Sequence, residues 1–141
     1  MANVKLHKYG SKRVSVSTQW LAVLRAADHN KVGFVVNSGA RTRAEQERLI
    51  RELGCWTPTN RDGAACPWDR SNHVIKGRPN HALDVSTHGG GEQRLQDWLN
   101  SHRLVRTSGG RATNPVPGEA WHLEINRLGL WRLYRKYRRF L

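Results

Sequence analysis

The chain has little acid, almost no sulfur and no long apolar run. Its 141 residues include two cysteines, one methionine, and 11 acidic against 24 basic side chains. Two cysteines are too few for the disulfide framework of a small stapled scaffold. Cys55 and Cys66 also match none of the four-ligand zinc spacings, so a loop role, paired or free, is expected for them. No apolar stretch approaches the roughly eighteen residues of a membrane span, so no transmembrane segment is expected. The basic first 17 residues lack the apolar core of a secretory signal. If the protein works outside the cytoplasm, something else is expected to release it. Also missing are His-Glu-x-x-His, Gly-x-Ser-x-Gly, a phosphate-binding glycine loop and a dinucleotide fingerprint. There is no internal repeat or low-complexity segment.

What is present points to one domain, residues 1–141, with 38% hydrophobic residues and six tryptophans to build a core. A net charge of +13 draws such a protein to polyanions: nucleic acid, anionic lipid, or wall polymers carrying phosphates and carboxylates. Charge alone does not choose among them.

Residues 1–16 have no clear period and read as an extended or irregular lead-in. Trp20, Leu21, Leu24 and Ala27 fall at helical spacing and predict a helix from Thr18 to about His29, capped by Ser17 or Thr18. Gly33–Ser38 reads as a short buried strand leading into a turn at Ser38-Gly39-Ala40-Arg41-Thr42. Thr42 and Glu45 form a capping box for a second helix to about Leu53, which turns the polar Gln46 toward the core side. Residues 54–70 read as a loop carrying Trp56 and Trp68. Residues 82–86 read as a strand. Leu95, Trp98, Leu99 and His102 share one face of a third helix, with His102 a helix-end histidine rather than a ligand. Leu104-Val105 predicts a short strand, Ser108–Gly110 a turn, and Trp121–Ile125 another strand. The tail, about 128–141, is a basic amphipathic helix with Leu130, Leu133, Tyr134, Tyr137 and Leu141 on one side and Arg132, Arg135, Lys136 and Arg139 on the other. That basic face is either simply solvated or in contact with a polyanion.

Two clusters carry chemistry. Ser71 to Asp84 holds His73, His81 and Asp84; Glu119 to Ile125 holds Glu119 and His122. A catalytic zinc takes three protein ligands and keeps one position open for water, whose proton a nearby carboxylate can remove. His73, Asp84 and His122 fit as ligands and Glu119 as base. In an extended strand Asp84 shares a face with Ala82 and Ser86, whereas His81 faces the other way. That favours His73 over His81 as first ligand.

Ser71-x-His73, Lys76-Gly77-Arg78 and Ala82-x-Asp84 resemble the Ser-x-His-x-x-Gly-x-Ala-x-Asp signature of the zinc D-alanyl-D-alanine carboxypeptidase and L-alanyl-D-glutamate endopeptidase family, to which many phage endolysins belong. Glu119-x-Trp121-His122 is similar to that family's Glu-x-Trp-His motif, and Ser38–Thr42 with Gln46 to its Ser-Gly-Tyr-Arg-Ser…Gln segment. The motifs occur in family order between about residues 34 and 125. Two departures stand out. Ten residues separate His73 from Asp84, more than in the signature, and only two separate His81 from it. The match of Lys76-Gly77-Arg78 favours His73 with an insertion around Arg78–Asn80. Ala40 replaces the usual aromatic.

The resemblance implies an α+β domain with a small, mainly antiparallel central sheet flanked by helices, of the hedgehog/D-Ala-D-Ala peptidase kind. It implies zinc (Zn2+) held by His73, Asp84 and His122, with Glu119 as general base. Arg41 would polarise the substrate carbonyl and stabilise the oxyanion. The implied substrate is the peptidoglycan stem peptide, at L-Ala–D-Glu or at D-Ala–D-Ala. The expectation is a monomeric phage endolysin, made in the host cytoplasm and acting on the wall after release, concentrated there by its basic surface. The rival is a basic nucleic-acid-binding protein. It accounts for the charge but not for the two motifs, and no helix-turn-helix, finger or RNA-binding signature supports it. A catalytically dead relative that only binds wall or metal is the third reading.

Overall fold

The computed structural model describes residues 3–6, 14–74 and 81–141. Lys76-Gly77-Arg78, the expected insertion around Arg78–Asn80 and part of the lead-in lie outside these residues. Strands β1 (Asn3–Leu6) and β2 (Val14–Ser17) pair as an antiparallel hairpin, more order than the lead-in was expected to have. Helix α1 (Thr18–His29) follows directly, and the Ser17 hydroxyl accepts from the Trp20 amide, which satisfies one of the orphan donors of the first turn. Eight residues of α1 are buried, and its Trp20, Leu21 and Leu24 form the centre of the core.

Strand β3 is shorter than expected, Val36–Ser38. The Val35 carbonyl still accepts from the Ser86 amide at 2.8 Å, but the Gly33 carbonyl is taken by the Arg94 guanidinium at 3.0 Å, and Val35 is exposed. Helix α2 (Arg43–Leu53) has the expected cap: Thr42 accepts from the Glu45 amide at 3.1 Å. The 54–70 segment is a stapled loop. Cys55 and Cys66 form a disulfide, bridge pairs join Cys55 to Ala64 and Thr57 to Asn60, and a single 3-10 turn spans Trp68–Arg70.

Strands β4 (Ala82–Val85) and β5 (His122–Glu124) complete a three-stranded antiparallel sheet of order β3-β4-β5. Leu83, Val85, Leu123 and Ile125 point into the core shared with α1, with α3 (Gly91–Asn100) and with α5 (Arg127–Tyr137). The alternate residues Asp84, His122 and Glu124 therefore face away from that core. Leu104-Val105 is not a strand. It lies in a one-turn helix, α4 (Arg103–Arg106), with amides of Val105 and Arg106 both donating to His102. A pair of apolar residues sets no period, and among the described residues no strand pairs with it. The His102 ring bonds the Trp98 carbonyl at the end of α3 at 2.9 Å and the Tyr137 hydroxyl at 2.6 Å, a structural role away from the sheet. The tail helix ends at Tyr137 and continues as a 3-10 turn, Arg138–Phe140, leaving Leu141 exposed. The architecture is α+β, a small antiparallel sheet with five helices among the described residues. None of those helices is long and apolar enough to cross a membrane.

Candidate metal centre

The register between β3 and β4 decides what reaches the site. Val36 pairs with Val85 on the core face, but the register shifts before Ser38, which pairs with Asp84. A one-residue slip moves a side chain to the opposite face of a sheet. Ser38, which regular alternation would keep on the side of Val36, thus sits beside Asp84. Between β4 and β5 the register is regular and sets Asp84 directly opposite His122.

His73 arrives from outside the sheet and is pinned on both sides. Its Nδ1 bonds the Gly39 carbonyl at 2.8 Å, and its own carbonyl accepts from the Arg41 amide at 2.8 Å. Its amide donates to the buried Ser71 hydroxyl at 3.2 Å. Gly39 is wedged against β2: a Cβ there would stand 2.3 Å from the Ser15 carbonyl oxygen. With Nδ1 committed to a carbonyl, Nε2 carries the free lone pair and points to the other two residues.

Three donor atoms then converge. His73 Nε2 and His122 Nδ1 each lie 3.4 Å from Asp84 Oδ1 and 3.3 Å from each other. His73 and His122 are buried, and Asp84 Oδ1 is a buried oxygen with no hydrogen-bond partner. Two imidazole nitrogens and an unsatisfied carboxylate oxygen aimed at one point repel unless a cation or proton lies between them. His73, Asp84 and His122 could accordingly hold a metal ion, and the set of two nitrogens and one oxygen suits a borderline divalent metal. His81, the alternative first ligand, is elsewhere. Its Nδ1 accepts from Arg127 Nε at 3.0 Å, and its Nε2 stands 3.9 Å from Glu124.

The metal-free electrostatics match this crowding. Burial acts to lower the His122 pKa, but the carboxylates of Asp84 and Glu124 beside its two ring nitrogens outweigh it and raise it to about 9. Burial likewise acts to raise the Asp84 carboxyl. The adjacent rings of His122 and His73, 3.4 Å away, with the charges of His73 and Arg41, prevail and hold it well below the usual carboxylate range.

The centre lies in a cleft of about 600 Å3, which Arg41, Glu119, Leu49, Leu53 and Trp56 also line. Arg41 is fixed by three side chains: Nη1 donates to Gln46 at 3.3 Å, Nη2 donates to Ser38 at 3.3 Å, and Nη2 stands 3.6 Å from Asp84 Oδ2. Gln46 is fully enclosed, and its amide donates to the Ala65 carbonyl at 3.3 Å, tying Arg41 to the disulfide-stapled loop. Glu119 sits in a turn that the Glu119 amide to Val116 carbonyl bond closes at 3.2 Å, one turn before the strand that carries His122. All five candidate site residues, Arg41, His73, Asp84, Glu119 and His122, thus border one cleft.

Sequence reasoning missed two residues here. The Asn72 amide donates to Glu124 Oε1, and Glu124 Oε1 lies 3.5 Å from His122 Nε2. Strand alternation was the signal for Glu124, two residues beyond His122 and hence on its face. Nothing local marked Asn72.

No family model and no curated protein matches the chain. Among solved structures it is similar to VanYB in complex with D-alanine-D-alanine, with 16% identity and a TM-score of 0.45, over 96% of this chain and 83% of that one.

Proposed function

We propose that this chain is a zinc-dependent peptidase that hydrolyses an amide bond of the peptidoglycan stem peptide, with L-Ala–D-Glu as the first bond to test and D-Ala–D-Ala as the alternative. The observation that carries the reading is the placement of Arg41 and Glu119 on the same cleft as the His73–Asp84–His122 group. A bound zinc ion supplies a Lewis acid and makes water ionise near neutral pH.

The chain's own residues supply the rest. His73, Asp84 and His122 would hold the ion at the edge of the cleft. Glu119 takes the proton of the attacking water and returns it to the leaving amine, so that one carboxyl serves as base and then as acid. Arg41, already oriented by Gln46, Ser38 and Asp84, faces the carbonyl oxygen as it gains charge. Because its donors are held before substrate arrives, little reorganisation is needed. Leu49, Leu53 and Trp56 give the cleft an apolar wall for the stem-peptide side chains.

Two further features support action at a cell wall. Disulfides such as Cys55–Cys66 persist in oxidising surroundings. On α5 the exposed Trp131 carries the Arg135 guanidinium 5.0 Å over its ring, among exposed basic side chains that suit anionic wall polymers.

Purified peptidoglycan and synthetic stem peptides, with products read by mass spectrometry, test the proposal and name the bond. Glu119→Gln is expected to lower kcat by about 100- to 10,000-fold while metal content stays unchanged. A chelator is expected to abolish activity and zinc to restore it. Activity that survives both treatments would sink the mechanism, and salt-sensitive DNA binding without hydrolysis would favour the rival.

A further inference from the structure

The two histidines of the centre present opposite nitrogens, and each needs its other ring nitrogen held. For His73 the holder is the Gly39 carbonyl, 2.8 Å from Nδ1. For His122 the ligating atom is Nδ1, which leaves Nε2, a buried nitrogen with no hydrogen-bond partner, facing Glu124 Oε1 at 3.5 Å. We infer that Glu124 is a positioning residue for His122 and that Asn72 is its clamp. This rests on the metal-centre reading above.

Four observations carry it. Glu124 sits on β5 on the same face as His122, so its carboxylate and the imidazole lie side by side along one strand. Directly across the ladder is Ala82, a fully buried small residue, which leaves room for a second side chain to approach the carboxylate. That side chain is Asn72, whose amide donates to Glu124 Oε1. The backbone of Glu124 is fixed as well, exchanging hydrogen bonds of 2.9 and 2.8 Å with Thr113.

A carboxylate facing Nε2–H favours one tautomer, keeps the Nδ1 lone pair aimed at Asp84 and His73, and makes that nitrogen a stronger donor. Asn72 precedes His73 in the chain. The Asn72–Glu124 bond therefore ties the segment that carries one histidine ligand to the strand that carries the other. It sets the distance between the ligands as well as the angle of one ring. The two holders are chemically unequal. A backbone carbonyl cannot be changed by substitution, whereas Glu124 and Asn72 can.

The test measures zinc dissociation constants by chelator competition for wild type, Glu124→Ala, Glu124→Gln and Asn72→Ala, alongside the 15N shifts of the His122 ring in metal-free and zinc-loaded protein. Glu124→Ala is expected to weaken zinc binding by about 10- to 100-fold. Glu124→Gln, which keeps an acceptor but no charge, and Asn72→Ala are expected to weaken it less and in the same direction. In both Glu124 variants the neutral His122 ring of the metal-free chain, read at a pH above its titration, is expected to lose its preference for Nε2–H. The isosteric Glu124→Gln keeps the test open should the alanine variant not fold. Zinc affinity within twofold of wild type together with an unchanged ring tautomer overturns the inference. So does a raised KM with both unchanged, which would make Glu124 a substrate contact. A wild-type chain that takes up no zinc defeats the metal reading itself. The ring shifts of the metal-free chain then still report whether Glu124 orients His122.

Discussion

The two faces of strands β4 and β5 share a backbone and differ in what they need. On one face Leu83, Val85, Leu123 and Ile125 are sealed under α1, α3 and α5. On the other, Asp84, His122 and Glu124 form a charged cluster beside a cleft. The helices that cover them repeat the contrast. α1 buries eight residues, seven of them apolar, while α2, of similar length and equally well capped, buries only Gln46. The core face draws its stability from area removed from water, which depends little on pH or on any ligand. The cleft face is a standing electrostatic problem that a cation or proton resolves. One sheet thus separates what holds the protein together from what it works with.

Substitutions can break or sharpen that separation. The largest effect is expected on the core face: Leu123→Ala should cost about 2–5 kcal/mol in urea unfolding, by the same amount with and without zinc. A cost that vanished on adding zinc would mean the two faces are not independent.

The next effect belongs to the cleft face and depends on pH. The His122 pKa rises to about 9 in the folded, metal-free chain, so the proton it binds stabilises the fold. That contribution is complete below the unfolded value, about 6.5, and is lost as pH climbs towards 9. Asp84 runs the other way: its depressed pKa stabilises above the ordinary carboxylate value, about 3.9, and the benefit is lost on acidification. Metal-free protein should therefore lose stability between about pH 6.5 and 9, and saturating zinc should flatten that slope because the ion takes the proton's place. The same slope in His122→Ala would assign it to another group.

The smallest effect is expected in α2. Leu53 is 48% exposed on the cleft wall, so Leu53→Ala should change stability by no more than about 0.5 kcal/mol. Its mark should fall on KM for stem peptide, with kcat unchanged.

What could be read in the sequence follows from the range of the forces involved. The start of α1, the Thr42–Glu45 cap and the alternation along β4 are set by neighbours within one turn or one strand, and all three were legible. Leu104-Val105 was misread because two apolar residues satisfy a strand and a helical turn equally; the His102 carbonyl, accepting two amides, settles it. β3 came out shorter at its start, where Arg94, far along the chain, rather than a strand takes the Gly33 carbonyl. At the site, the separation of His73 from His81 followed from strand alternation, which the structure repeats. The register shift that brings Ser38 to Asp84 depends on a partner strand more than forty residues away, and no local pattern encodes it. Cys55 and Cys66 were legible as loop residues, but their pairing depends on how the loop closes.

Gly39 shows how far the requirements of such a centre reach. Its only contribution is a carbonyl, and its only qualification is the absence of a side chain beneath Ser15 and Val16. An added methyl group must displace either β2 or the carbonyl that orients His73, so packing and ligand geometry would fail together. In a saturation scan of every position, Gly39 would be as intolerant as a metal ligand while donating nothing to the metal. An engineer moving this centre to another scaffold would therefore have to transplant that gap along with the three donors.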